Sequence, residues 1–314
     1  MKQIILIIVL SINISHSQSL DHLIEIAINQ NLHLKALEKE YLAALERAPQ
    51  VSQLPQPELG VGGFPLPVQT RLGPQITRLS ATQMLPWWGT LESKEILILK
   101  QAQAQYERIA AAALKVKYEV EQAYFMLYEL GQSQIIMQRN IEVLERLEQV
   151  VLAKVESGRN STADVLRIQL QIEELTQEVQ ILERQKRKPQ IAINQLLNRD
   201  LAMVVVVTDS LQFVDIKLDR EQIKQQITND HPMLKRYALQ AEAARQAIKV
   251  NELAGKPSFG IGVDYLFINE RTDINFLDNG RDVLQLRASV SLPIYRKKYE
   301  AKSAEETIKI EALE

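Results

Sequence analysis

The sequence predicts a mostly α protein with membrane β-strands, built on a duplicated unit of helix, β-hairpin and long helix. Three observations predict this class. Glycine and proline stand at 11 each in 314 residues and aromatics at 5%, while Ala, Leu, Ile, Glu, Gln and Lys dominate, as suits long helices rather than a compact sheet protein. Apolar residues recur at helical spacing along most of the chain and at a spacing of two in a few short segments. Stretches 200 residues apart repeat one another. Composition also excludes several chemistries. Lys+Arg at 37 against Asp+Glu at 39 gives a formal net charge of −2, no basic excess to neutralise a phosphate backbone, so nucleic acid is not an expected partner. Cysteine is absent, which removes disulfides, thiolate nucleophiles, Cys-ligated zinc and iron–sulfur clusters.

Residues 1–17 read as a signal peptide. Lys2 precedes the apolar run Ile4 to Leu10, roughly half the ~18 residues a spanning helix needs, and Ser15-His16-Ser17 follows where a signal peptidase would cut. The alternative is an N-terminal core helix. Residues 18–48 hold the first helix, with Leu23, Ile24, Ile28, Leu32, Leu37, Tyr41 and Leu45 at helical spacings and Pro49 as its stop. Residues 57–85 read as a β-hairpin, Pro57 to Phe64 and Gln75 to Leu85 around a loop from Pro65 to Pro74.

Residues 90–200 form a long helical hairpin. Its first arm, Thr90 to Glu156, lacks proline and has one glycine, Gly131; Ala102, Tyr106, Ile109, Ala113, Val116, Val120, Ala123, Leu127 and Leu130 trace one stripe. At 1.5 Å per residue this arm is about 100 Å long. The tip falls near residues 157–161, and a return helix runs from Ser161, an N-cap with Asp164 three residues on, to about Leu197. The first helix, about 28 residues, and the return helix, about 37, together nearly match the long arm of about 67, so two shorter helices stacked end to end would lie along one antiparallel neighbour.

The second copy covers a helix at 216–254, a hairpin at 257–293 and the start of a second long helix at 297–314. Leu59-Gly60-Val61-Gly62 is answered by Phe259-Gly260-Ile261-Gly262, and Asn31 to Lys35 by His231 to Lys235, at an offset of 200. Leu79, Ala81 and Leu85-Pro86 are answered by Leu286, Ala288 and Leu292-Pro293 at an offset of 207. In the second hairpin Phe259, Ile261, Val263, Tyr265 and Phe267 alternate with Gly260, Gly262, Asp264 and Leu266; Leu284, Leu286, Ala288, Val290 and Leu292 alternate with Gln285, Arg287, Ser289 and Ser291. Strands of roughly ten residues with one apolar and one mostly polar face have the dyad pattern of a barrel strand with lipid outside and water within. Asp264, Gln285 and Arg287 then face the lumen. An ordinary half-buried strand of a soluble sheet has the same alternation, but four strands cannot close a barrel alone and no others cover an exposed sheet. Trp87, Trp88 and Tyr295 stand at corresponding strand ends, where they suit a membrane-interface belt or simple packing.

The order of these segments resembles the TolC family of outer-membrane efflux channels. The resemblance is carried by Ala27-Ile28-Asn29-Gln30-Asn31 with Leu34, by Leu79-Ser80-Ala81-Thr82-Gln83-Met84-Leu85-Pro86-Trp87-Trp88-Gly89-Thr90-Leu91, by Ser157-Gly158 with Asp164-Val165-Leu166, and by the duplication. It implies a homotrimer whose strands close a 12-stranded β-barrel in outer-membrane lipid, continuous with a periplasmic α-helical barrel. It also implies passive conduction of solutes delivered by an inner-membrane pump through a periplasmic adaptor that docks on the tip, here Ser157, Gly158, Arg159, Asn160 and Ser161. As a plain turn the same residues also suffice: Gly158 can take positive φ, and Ser161 or Thr162 can cap the next helix.

No GxxxxGK[ST] occurs, and His16, His22, His33 and His231 form no H-x-x-x-H or triad-like setting, so no catalytic residue, cofactor or metal is expected. A soluble periplasmic adaptor-like coiled-coil scaffold is the alternative, although it has no use for duplicated amphipathic strands. Set against the family pattern, the second long helix covers only 297–314 and lacks a return arm, so the sequence reads as C-terminally truncated relative to the family, whether as a fragment, a truncated gene product or a degenerate copy, and a non-functional truncated channel is a further alternative.

Overall fold

A computed structural model describes residues 19–207, 219–273 and 277–314. The expected signal peptide and the first residues of the 216–254 helix lie outside them. The elements run α1 (Leu20–Gln30), α2 (Leu32–Leu45), α3 (Ala48–Val51), β1 (Glu58–Gly63), β2 (Gln75–Leu85), α4 (Thr90–Glu156), α5 (Thr162–Leu196), α6 (Arg220–Asp230), α7 (Pro232–Ala254), β3 (Ser258–Ile268), β4 (Val283–Ser291) and α8 (Arg296–Leu313). They fall into two compact units. One gathers the described residues from 19 to Ala36 and from Ala111 to 207; the other gathers Leu37–Ala110 and the described residues from Asp219 to Glu314.

The first unit corrects the expectation of one helix over 18–48. Asn31 leaves the helix at φ −60°, ψ 123°, ending α1, and then caps α2: its Oδ1 accepts from His33 N at 3.0 Å and Leu34 N at 3.3 Å. Its Nδ2 donates to the carbonyl of Leu196 at 3.2 Å, in the last turn of α5. Thus α5 and α2 meet end to end through one side chain, which satisfies orphan groups of both helix termini. The segment α1 packs beside this joint. Leu23, Ile24 and Ala27 of α1 pack with Leu34, with Val116, Val120, Tyr124 and Leu127 of α4, and with Ile193 and Leu197. Each fully buried leucine or isoleucine here contributes about 2 kcal/mol of transfer free energy. Asn194, fully buried, donates to the carbonyls of Leu201 at 3.1 Å and Met203 at 2.7 Å, which holds the following segment so that Val205 enters the same core.

In the second unit, Pro49 does not stop a helix but lies in the first turn of the short α3, where the absent N–H costs nothing. Tyr106 is a correction too: it is 55% exposed, its ring 5.4 Å from that of Tyr41, so the expected α4 stripe is partly a surface one. On α2, Glu40 takes Arg108 Nη1 at 3.0 Å and Gln105 Nε2 at 3.1 Å from α4. The break at Asn31 is repeated at His231 (φ −67°, ψ 121°), whose Nδ1 accepts from Met233 N at 3.2 Å while Pro232 opens α7. Gln246 of α7 donates to the carbonyl of Ser93 on α4 at 3.0 Å, and Asn251 donates to Tyr299 O and Ser303 Oγ of α8.

The four strands form one antiparallel sheet in the order β1-β2-β3-β4, so the two hairpins join through β2 and β3. Gly60 lies opposite Ser80 in the first hairpin, whereas Gly262, not Gly260, lies opposite Arg287 in the second. Relative to the sequence repeat the second register has slipped by two residues, a slip that keeps every side chain on its face.

Candidate functional site

The register sorts the sheet into two chemically opposite faces. On one face, paired rows cross all four strands as Leu59, Ala81, Val263, Leu286 and as Val61, Leu79, Tyr265, Leu284. These side chains are uncovered: Leu59 and Leu286 are 81% exposed and Val61 is 79% exposed. A soluble sheet buries its apolar face, because about 25 cal/mol is gained per Å² removed from water. Here the apolar face is the bare one. Among the described residues, neither the outer edge of β1 nor that of β4 has a strand partner.

The opposite face carries the rows Glu58, Thr82, Gly262, Arg287; Gly60, Ser80, Asp264, Gln285; and Gly62, Arg78, Leu266, Val283. Asp264 is fully buried, and a buried carboxylate must be paired. Arg78 pairs with it: Nε donates to Oδ1 at 3.2 Å and Nη2 stands 2.8 Å from Oδ2 as an ion pair, although among the described residues the buried Oδ2 accepts no hydrogen bond. Arg287 approaches from the other side, with Nε 3.8 Å from Oδ2, and donates from Nη2 to Thr82 Oγ1 at 2.8 Å. The three residues expected to share a polar face, Asp264, Gln285 and Arg287, therefore do so. The sequence reading missed Arg78, because nothing local shows that β2 pairs with β3, 186 positions away at the Arg78–Asp264 contact.

Trp87 and Trp88 follow β2 and close a ring cluster with Phe259 at the start of β3, centroids 5.3–6.1 Å apart. Trp88 and Tyr295 are exposed. Both follow the C-terminal ends of strands that run parallel, β2 and β4, so they lie at the same end of the sheet; no described ring contact joins them.

At the helical tip the turn is built for its shape. Gly158 has φ +72°, Gly158 N donates to Val155 O at 2.9 Å and Arg159 N to Lys154 O at 2.8 Å, the paired bonds of a glycine-closed helix C-terminus. Ser157 Oγ donates to Lys154 O at 3.0 Å. After Asn160, Ser161 Oγ accepts from Ala163 N at 3.2 Å and opens α5. Behind the turn Val151, Val165 and Ile168 zip the two arms together. Ser157, Gly158, Arg159, Asn160 and Ser161 are all exposed. Among the described residues no helix is long and apolar enough to cross a membrane, which says nothing of strands, and no metal-binding cluster occurs.

No family model matches the sequence, and comparison with curated proteins finds no match. Solved structures do match. A membrane protein from Pseudomonas aeruginosa superposes with a TM-score of 0.69 at 16% identity, over 94% of this chain and 71% of that one. The outer-membrane channel OprN gives 0.67 at 16% over 94% and 69%. The outer membrane protein VceC from Vibrio cholerae gives 0.66 at 14% over 94% and 73%. The fold of this chain is that of the TolC-family outer-membrane channels.

Proposed function

We propose that this chain, which has the TolC-family channel fold, is itself the subunit of an outer-membrane channel that passively conducts solutes in a tripartite efflux system. The observation that carries the reading is the inverted sheet: bare apolar rows on one face, a charged and glycine-rich face on the other, and two open edges. Lipid is the solvent for such an apolar face, and in lipid each unpaired backbone group at an edge costs several kcal/mol. Closure by further copies removes both edges. Three protomers of four strands give a barrel whose polar face lines a water-filled lumen, with Asp264, Gln285 and Arg287 on it. Trp87, Trp88 and Tyr295 then sit at one membrane–water boundary, where amphipathic rings are favoured.

In this homotrimer the long arms α4 and α5 reach into the periplasm, and the exposed turn Ser157 to Ser161 is the surface offered to a periplasmic adaptor protein. Energy comes from an inner-membrane pump, since a tube of this kind does no chemistry of its own. A soluble adaptor-like scaffold gains nothing from an uncovered apolar sheet, which favours the channel over that alternative. Expression with the native N-terminus followed by membrane fractionation tests the reading. The chain is expected in the outer membrane, released by detergent and not by salt; recovery in the soluble periplasmic fraction would overturn it.

A further inference from the structure

We propose that Asp264 is a latch that holds Arg78 and Arg287 flat against the inner wall of the barrel and so sets both the width and the charge preference of the passage. The inference rests on the barrel reading above. Its basis is geometric. Asp264 has no exposed surface and stands between two guanidiniums, that of Arg78 with Nε donating to Oδ1 at 3.2 Å and Nη2 2.8 Å from Oδ2, and that of Arg287 with Nε 3.8 Å from Oδ2. Glycine at position 262 leaves room for Arg287 to lie down. A Cβ there would stand 3.3 Å from Arg287 Nε, 3.3 Å from Thr82 Oγ1 and 3.2 Å from the carbonyl of Ala81. Across that bare backbone Arg287 spans from β4 to Thr82 on β2.

The charges on this face are Arg78, Arg287, Asp264 and, on β1, Glu58, which sum to zero in each copy. The native lumen is therefore nearly indifferent to the sign of an ion at this level. Without the Asp264 carboxylate, each copy gains one net positive charge and two long side chains lose the group that keeps them on the wall. A guanidinium released from its carboxylate is free to extend into the bore, where it narrows the water-filled section and attracts anions, most strongly at low ionic strength.

Planar-bilayer recording of the purified full chain tests this. D264N is expected to lower single-channel conductance and to move the reversal potential under a salt gradient towards that of chloride, more so at low salt. R287Q is expected to move it the opposite way, towards the cation, without loss of conductance, and it keeps Asp264 paired with Arg78 if D264N does not assemble. E58Q makes the same charge change as D264N but frees no arginine, so it should shift selectivity while leaving conductance intact. Equal conductance in D264N and the native channel, equal conductance loss in D264N and E58Q, or an unmoved reversal potential in R287Q would overturn the latch while leaving the channel in place. A native protein that opens no conductance would overturn the barrel reading itself, and the latch with it.

Discussion

Replacing Asn31 by alanine probes the joint on which the helical unit is organised. Asn31 is 8% exposed and its side chain makes three hydrogen bonds, two as the cap of α2 and one to the carbonyl of Leu196 in α5. Loss of an N-cap costs about 1 kcal/mol. Loss of the 3.2 Å bond to Leu196 O, part-buried, costs about 1 kcal/mol more because that carbonyl is left without its partner. The expected destabilisation is about 2 kcal/mol, read as a lowered melting temperature in detergent and as faster amide exchange at residues 32–35 and in the last turn of α5. N31D separates the two terms. A carboxylate keeps the cap acceptor and suits the positive end of α2, but cannot donate to Leu196 and stands against the carbonyl end of α5. It should fall between the native protein and N31A. Stability of N31A within about 0.5 kcal/mol of the native protein, or N31D more stable than native, would refute the idea that one side chain splices the two helices.

The bare apolar face predicts that L286R, an arginine on the lipid side of β4, costs about 2–4 kcal/mol per copy if it sits near the bilayer midplane, whereas Q285R on the other face is tolerated. The yield of assembled outer-membrane protein reads this, and equal yields would speak against lipid on that face. On α8, burial raises the Glu306 pKa, but hydrogen bonds from Lys302 and Lys309 outweigh it and hold the carboxyl below its ordinary 4.5; Glu305 is lowered by the same lysines, and both lysines are raised. A lowered carboxylate stabilises the folded state above its unfolded value and loses that contribution as pH falls through the folded one. Exchange protection of α8 should thus hold from neutral pH down to about 4.5 and drop below it, and E306Q should abolish Glu306's share of the drop. At the tip, Gly158 has φ +72° with nothing near its missing Cβ, so G158A should cost about 1 kcal/mol as backbone strain alone and fray the hairpin turn, seen as lost protection at residues 155–163.

Much of the architecture is legible in the sequence because it is periodic. Thr90 to Glu156 reads as one helix since nothing in it breaks one, and the faces of β3 follow from strict alternation between Phe259 and Phe267. The break at Asn31 is hidden because Leu23, Ile24, Ala27, Leu34 and Leu37 stay near helical phase across it. Yet the duplication holds the signal: the matching His231 precedes Pro232, and a residue before proline is pushed out of the helical region, so the second copy announces a break that the first makes with Asn31 alone. The Arg78–Asp264–Arg287 group is illegible for a different reason. Its members come from three strands, and the pairing of β2 with β3 is set by tertiary packing rather than by any local turn.

The most direct test of the central claim is the mass of the detergent-extracted particle by light scattering, with the detergent contribution subtracted. The account predicts three times the mass of the chain, because only further copies can pair the open edges of β1 and β4. A monomer, stable in buffer without detergent, would contradict it.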